Sequence, residues 1–164
     1  MGEGSTFWVQ LPLVEGPVER FVRLDGDVAR SAAAANGRHT LVYIEDNLSN
    51  LRLVERLLEQ HGGIELVAAM QGRLGLDLAR QHRPLAILLD LHLPDISGDE
   101  ILRQLRDDPV TASIPVIILS ADATPGHVKR LLAAGAHRYL TKPLEVNVLL
   151  DILDALAAAA DRDR

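Results

Sequence analysis

The chain of 164 residues has no cysteine, which excludes disulfides and thiolate metal sites and suits a reducing compartment. No apolar run approaches the roughly 18 residues that a membrane-spanning helix requires. The start, Met1-Gly2-Glu3-Gly4, has no basic segment followed by an apolar core, so no secretory signal is legible. A dense basic cluster is also missing, and the formal net charge of -6 argues against a dedicated nucleic-acid surface. These absences lead to the expectation of a cytoplasmic chain that contacts neither membrane nor nucleic acid.

What is present is a hydrophobic content of 48%, enough for one ordinary core. From His39 onward short apolar runs alternate with longer amphipathic stretches, the pattern of repeated strand-helix units around a parallel sheet. Strands are expected near 40–45, 64–69, 85–90, 114–119 and 137–141. Helices are expected near 48–61, 72–82, 97–107, 125–134 and 145–159. Leu51, Val54, Leu57 and Leu58 form an apolar stripe in the first helix, and Val146, Leu149, Leu150, Leu153 and Leu156 do so in the last. Residues 13–38, with Pro17, Gly26 and the turn signal Asn36-Gly37, read as a linker with a helical turn around 27–35. The globular part is then 39–160, with 161–164 as a tail.

The ends of the predicted strands carry the chemistry. Glu45-Asp46 closes Leu41-Val42-Tyr43-Ile44, Asp90 closes Leu85-Ala86-Ile87-Leu88-Leu89, Ser120 closes Val116-Ile117-Ile118-Leu119, and Lys142-Pro143 closes His137-Arg138-Tyr139-Leu140-Thr141. Asp90 alone reads equally well as a helix cap or a loop residue. A short continuous apolar run is the mark of a strand covered on both faces, and such parallel strands deliver their last residues to the edge where ligands bind. Carboxylates converging there repel one another unless a hard divalent cation with oxygen ligands intervenes, and magnesium fits. Asp46 and Asp90 are the expected direct ligands, with Glu45 acting directly or through water. An Asp90 oxygen is then placed to attack a phosphoryl group. Lys142 supplies a compact positive charge, and Ser120 a hydroxyl for a phosphoryl oxygen. Lys142-Pro143 is a candidate cis peptide.

This constellation resembles the response-regulator receiver domain over residues 39–159. Glu45 and Asp46 match the family's metal-binding acidic pair, Asp90 its phosphoacceptor, Ser120 its switch hydroxyl, Tyr139 its switch aromatic, and Lys142 with Pro143 its lysine-proline element. Leu93-Pro94-Asp95-Ile96-Ser97-Gly98 matches the loop after the phosphoacceptor, and the intervals of 44 residues from Asp46 to Asp90, 30 to Ser120 and 22 to Lys142 agree as well. The resemblance implies an α/β, flavodoxin-like, doubly wound five-stranded parallel sheet of order 2-1-3-4-5 with helices on both faces. It also implies that the His92 backbone carbonyl joins the metal site. His92 and Asp122, two residues after Asp90 and Ser120, are implied to tune the lifetime of the acyl phosphate. On phosphorylation Ser120 is expected to move toward the phosphoryl group and Tyr139 to turn inward, remodelling the face of the fourth helix, fifth strand and fifth helix.

Gly2-Glu3-Gly4-Ser5-Thr6-Phe7-Trp8-Val9-Gln10-Leu11-Pro12 resembles a late element of histidine-kinase ATPase domains, in which glycines lie by the nucleotide phosphates before a strand. The alternative reading is an unrelated glycine-rich leader. The resemblance implies that residues 1–12 are a remnant of such a domain, and that the chain is the C-terminal receiver of a hybrid histidine kinase without kinase activity of its own. Two functions remain open. One is a phosphorelay receiver, taking a phosphoryl group from a histidine kinase or exchanging it with a histidine phosphotransfer protein. The other is an interaction or dimerisation module in which phosphorylation is incidental. An aspartyl-nucleophile hydrolase fits poorly, because His92 stands where its second aspartate belongs.

Overall fold

The computed structural model describes residues 39–162, so the expected linker and the kinase-like element at 2–12 lie outside the described residues. Five strands, β1 (His39–Ile44), β2 (Ile64–Ala69), β3 (Ala86–Asp90), β4 (Val116–Ser120) and β5 (Arg138–Thr141), alternate with five helices. The helices are α1 (Leu48–His61), α2 (Gly72–His82), α3 (Gly98–Asp107), α4 (Pro125–Ala133) and α5 (Val146–Arg162). All strand pairs are parallel and the sheet order is β2-β1-β3-β4-β5, the doubly wound arrangement expected from the sequence.

The order places a reversal of winding between β1 and β3. Ile44 pairs with Leu89 across it, so the residues that follow, Glu45 and Asp90, emerge side by side at the carboxyl edge. Strand alternation divides the core in two. Leu41, Tyr43, Leu88, Ile117 and Leu119 pack with α1 and α5, through Leu51, Val54, Leu58, Leu149 and Leu153. Val42, Ile44, Ile87, Leu89, Val116 and Ile118 pack with α2, α3 and α4, through Leu76, Ile101, Leu102, Leu105 and Leu131. Every residue of β3 and β4 is buried, which is why both read as unbroken apolar runs.

Helix starts are fixed by side chains near the carboxyl edge. Asn47 caps α1, its Oδ1 accepting from the N–H groups of Ser49 (2.9 Å) and Asn50 (3.4 Å). Gln71, at the cap of α2, offers no side-chain bond, and Asp95 from the β3–α3 loop acts instead. Its carboxylate accepts from Gly72 N–H (2.8 Å) and Arg73 N–H (3.0 Å). The loop after Asp90 is thereby tied to the start of α2.

Two expectations need correction. The fourth strand begins at Val116, so Ser120 is its last residue and not the one beyond it. The last helix continues to Arg162, past the expected end near 159 and into the residues assigned to a tail. The alanines at 157–160 favour helix, and an Asp161 carboxylate oxygen lies 3.3 Å from His39 Nε2.

Candidate phosphoacceptor site

At the carboxyl edge, Glu45, Asp46 and Asp90 each have an oxygen within 4.8 Å of the others. Glu45 (1% exposed) and Asp90 (3%) are buried, whereas Asp46 is exposed. Lys142, one residue beyond β5, reaches across to the acidic pair: its ammonium donates to Asp90 Oδ2 at 2.6 Å and to Glu45 Oε2 at 3.0 Å. The Lys142–Pro143 peptide is cis. Burial alone lowers the pKa of Lys142, but its bonds to Asp90 and Glu45 outweigh that and hold it above the ordinary lysine value. The other oxygen of Asp90, Oδ1, accepts the His92 N–H at 3.1 Å.

The three carboxylates differ in how much of their acceptor capacity is used. Glu45 Oε2 accepts from the Tyr43 hydroxyl (2.9 Å), Asn50 Nδ2 (3.0 Å) and Lys142, while Oε1 accepts from Asn47 N–H (3.2 Å). The Asp46 carboxylate has no hydrogen-bond partner among the described residues. This gradient, from a saturated buried acid to an open exposed one, fits a hard cation held mainly by Asp46 and Asp90. Oxygen donors alone form the set, as magnesium requires.

Ser120 is fully buried beside this cluster, and its Oγ accepts the Asp122 N–H at 3.2 Å. The Asp122 carboxylate turns away toward the start of α4. It accepts from Thr124 N–H (2.8 Å) and the Thr124 hydroxyl and pairs with His127 Nδ1 at 2.7 Å. The Thr124 hydroxyl and N–H, with His127, lower its pKa to about 2. Tyr139 also departs from the expected starting point. Its ring is half-buried against the α2–α3–α4 core, its hydroxyl donates to the Asp122 carbonyl, and it meets the His127 ring edge-on at 6.4 Å. The inward position is therefore occupied in the structure, because the β4–α4 loop presents an acceptor there. His92 lies over the opposite flank of Asp90, its side chain 73% exposed and Nδ1 3.8 Å from Asp90 Oδ1.

The structure thus gathers Glu45, Asp46, Asp90, Ser120 and Lys142 at one edge and sets Tyr139 one strand away. Tyr43, Asn50, Asp95 and His127 were not singled out by sequence. Tyr43 had a legible signal, since a residue two before Glu45 shares its face of the strand. For His127 no sequence signal pointed to Asp122.

A family profile described as the response regulator receiver domain matches residues 41–154. The polar-differentiation response regulator DivK of Brucella anthropi is 39% identical over 107 residues, covering 65% of this chain and 86% of that protein. The receiver domain of a Pseudomonas aeruginosa sensor histidine kinase, solved with magnesium coordinated in its active-site cleft, superposes with TM-score 0.66 at 29% identity, covering 74% of this chain and 98% of that one. The signal receiver domain of a histidine kinase from Syntrophus aciditrophicus gives 0.68 at 27% identity, covering 76% and 93%. With the acidic cluster, the lysine bridge and the 2-1-3-4-5 sheet, this match over more than half its length shows that the chain belongs to the response regulator receiver domain family, the signalling modules of two-component systems.

Proposed function

We propose that Asp90 accepts a phosphoryl group from the phosphohistidine of a histidine kinase or of a histidine phosphotransfer protein. The observation that carries this reading is the held Asp90: Lys142 fixes Oδ2 at 2.6 Å, His92 N–H fixes Oδ1, and two further carboxylates stand within 4.8 Å. Asp46, Asp90 and the His92 carbonyl, with Glu45 in support, would hold magnesium, which when bound would supply positive charge against the carboxylates and an incoming phosphoryl group. An Asp90 oxygen attacks phosphorus in line, the phosphorus–nitrogen bond to the donor imidazole breaks, and that imidazole leaves carrying the bonding electron pair. Lys142 transfers one of its hydrogen bonds to a phosphoryl oxygen. The Ser120 hydroxyl turns to another, and its loop carries Asp122, hence Tyr139, with it.

The test is direct. Acetyl phosphate with magnesium adds one phosphoryl group to the wild-type chain by intact mass, and beryllofluoride changes its spectrum, whereas Asp90→Asn does neither. Absence of any magnesium-dependent response in the wild type refutes the reading. The docked position of Tyr139 favours a second one, in which the α4–β5–α5 face binds a partner or a second copy without phosphate; Asp90→Asn then leaves binding intact. The kinase-like element at 2–12 supports a hybrid histidine kinase as the parent.

A further inference from the structure

Tyr43 is the one buried residue of β1 with a polar side-chain atom, and that atom is spent on the site. The ring is fully buried among Leu41, Leu88, Ile117 and the α1 and α5 side chains. Among the described residues its hydroxyl has a single partner, Glu45 Oε2 at 2.9 Å. Burial first, and the neighbouring Glu45 carboxylate second, push its pKa well above the ordinary tyrosine value, so the phenol remains a donor. A phenylalanine fills the same volume, and nothing about core packing calls for an oxygen there.

The oxygen matters because of what else Glu45 Oε2 holds. It is the oxygen that shares Lys142 with Asp90. When Lys142 transfers to a phosphoryl oxygen, a carboxylate only 1% exposed loses its countercharge. An uncompensated buried charge is costly, and only donors already in place reduce that cost. Tyr43 and Asn50, at 2.9 and 3.0 Å, are those donors on Oε2, beside the Asn47 N–H on Oε1 at 3.2 Å.

We propose that Tyr43 is a positioning residue for phosphoryl acceptance: its hydroxyl anchors Glu45 so that Lys142 is free to leave for the phosphoryl group. The proposal rests on the phosphoacceptor reading of Asp90. Without the phenol, Glu45 holds Lys142 more tightly and releases it less readily.

The chain has two lysines, Lys129 and Lys142, so 15N-lysine labelling yields one ammonium signal from the exposed Lys129 and one from the site. In metal-free Tyr43→Phe the Lys142 signal shifts and its protons exchange more slowly than in wild type. The maximal rate of phosphorylation by acetyl phosphate, at saturating magnesium, falls about tenfold or more, as for partners that orient metal-site carboxylates. Asn50→Ala, which removes the other neutral side-chain donor, moves both readouts the same way. A folded Tyr43→Phe whose Lys142 signal and maximal rate match wild type overturns the proposal. Should that variant not fold, the bond is read in place. The chain has two tyrosines, so Tyr139→Phe leaves Tyr43 as the sole one. Magnesium with beryllofluoride must then red-shift its ultraviolet band, and an unmoved band also overturns the proposal. A wild type that takes no phosphoryl group refutes the role of Asp90 instead, while the ammonium signal still decides that of Tyr43.

Discussion

Replacing Lys142 by methionine tests the electrostatic balance at the sheet edge. The ammonium stands 2.6 Å from Asp90 and 3.0 Å from Glu45, with 26% of its side chain exposed. At an effective dielectric of about 20, each contact is worth roughly 6 kcal/mol of gross Coulomb attraction, most of it offset by desolvation. Removing one partner of a buried pair typically costs about 3–5 kcal/mol. Partial exposure of Lys142 and the three other donors on Glu45 reduce this to about 2–3 kcal/mol, carried mostly by Asp90, which keeps only the His92 N–H. Urea unfolding at pH 7 in EDTA measures the loss. Saturating magnesium, at about 100 times the dissociation constant, stabilises a native-state binder by about 2.7 kcal/mol, and the increment should be larger in Lys142→Met, where no ammonium competes. The pH dependence carries its own sign. Lys142 has a folded pKa raised above its ordinary 10.5, so its contribution is complete below pH 10.5 and is lost as pH rises through the folded value. The wild-type advantage therefore disappears on the alkaline side. A metal-free difference under 0.5 kcal/mol, or a magnesium increment no larger than in wild type, refutes the reasoning.

Other consequences follow from the loops around Asp90. Asp122, lowered from 3.8 to about 2, contributes stability above pH 3.8 that is lost as pH falls through 2, so Asp122→Asn flattens the acid limb of thermal unfolding; an unchanged limb contradicts the Thr124 and His127 bonds as its cause. A Cβ at Gly98 stands 2.6 Å from the Leu91 Cα and 3.1 Å from the Asp90 carbonyl, both backbone atoms that cannot step aside, so Gly98→Ala should lose about 1–3 kcal/mol in urea unfolding and accept phosphate more slowly. His92→Ala opens the exposed flank of Asp90 and should change the rate of acyl-phosphate loss several-fold, read by intact mass after donor removal; an unchanged rate removes His92 from the lifetime.

The sheet order and the strand-end chemistry were legible because each depends on local pattern. The limits of α1 and α2 match the sequence expectation to the residue, since Asn47 caps one start and Gly62 and Gly63, both at positive φ, end that helix. Details went unread where a side-chain contact outside the local pattern decided the outcome. At the end of α5, Asp161 meets the His39 ring at 3.3 Å, a residue at the far end of the domain sequence. The direction of the Asp122 carboxylate depends on Thr124 and on a histidine one helical turn further. Tyr43 was read as one more member of an apolar run, which its ring is; its hydroxyl acquires meaning only beside Glu45.

The site's charge explains how roles divide among three similar acids. Three carboxylates face one ammonium, leaving a net charge of about -2 for a divalent cation to match. Exposure and donor count then rank the acids. Glu45 is buried and saturated, so it contributes charge more readily than a ligand atom. Asp46 is exposed and, among the described residues, unengaged, so in the proposed function it is the first to meet an arriving cation. Asp90 lies between, each oxygen held by one donor, and the donor on Oδ2 is a side chain able to transfer to another acceptor. Nucleophilicity requires an oxygen that is oriented yet releasable, and Asp90 alone among the three meets both conditions.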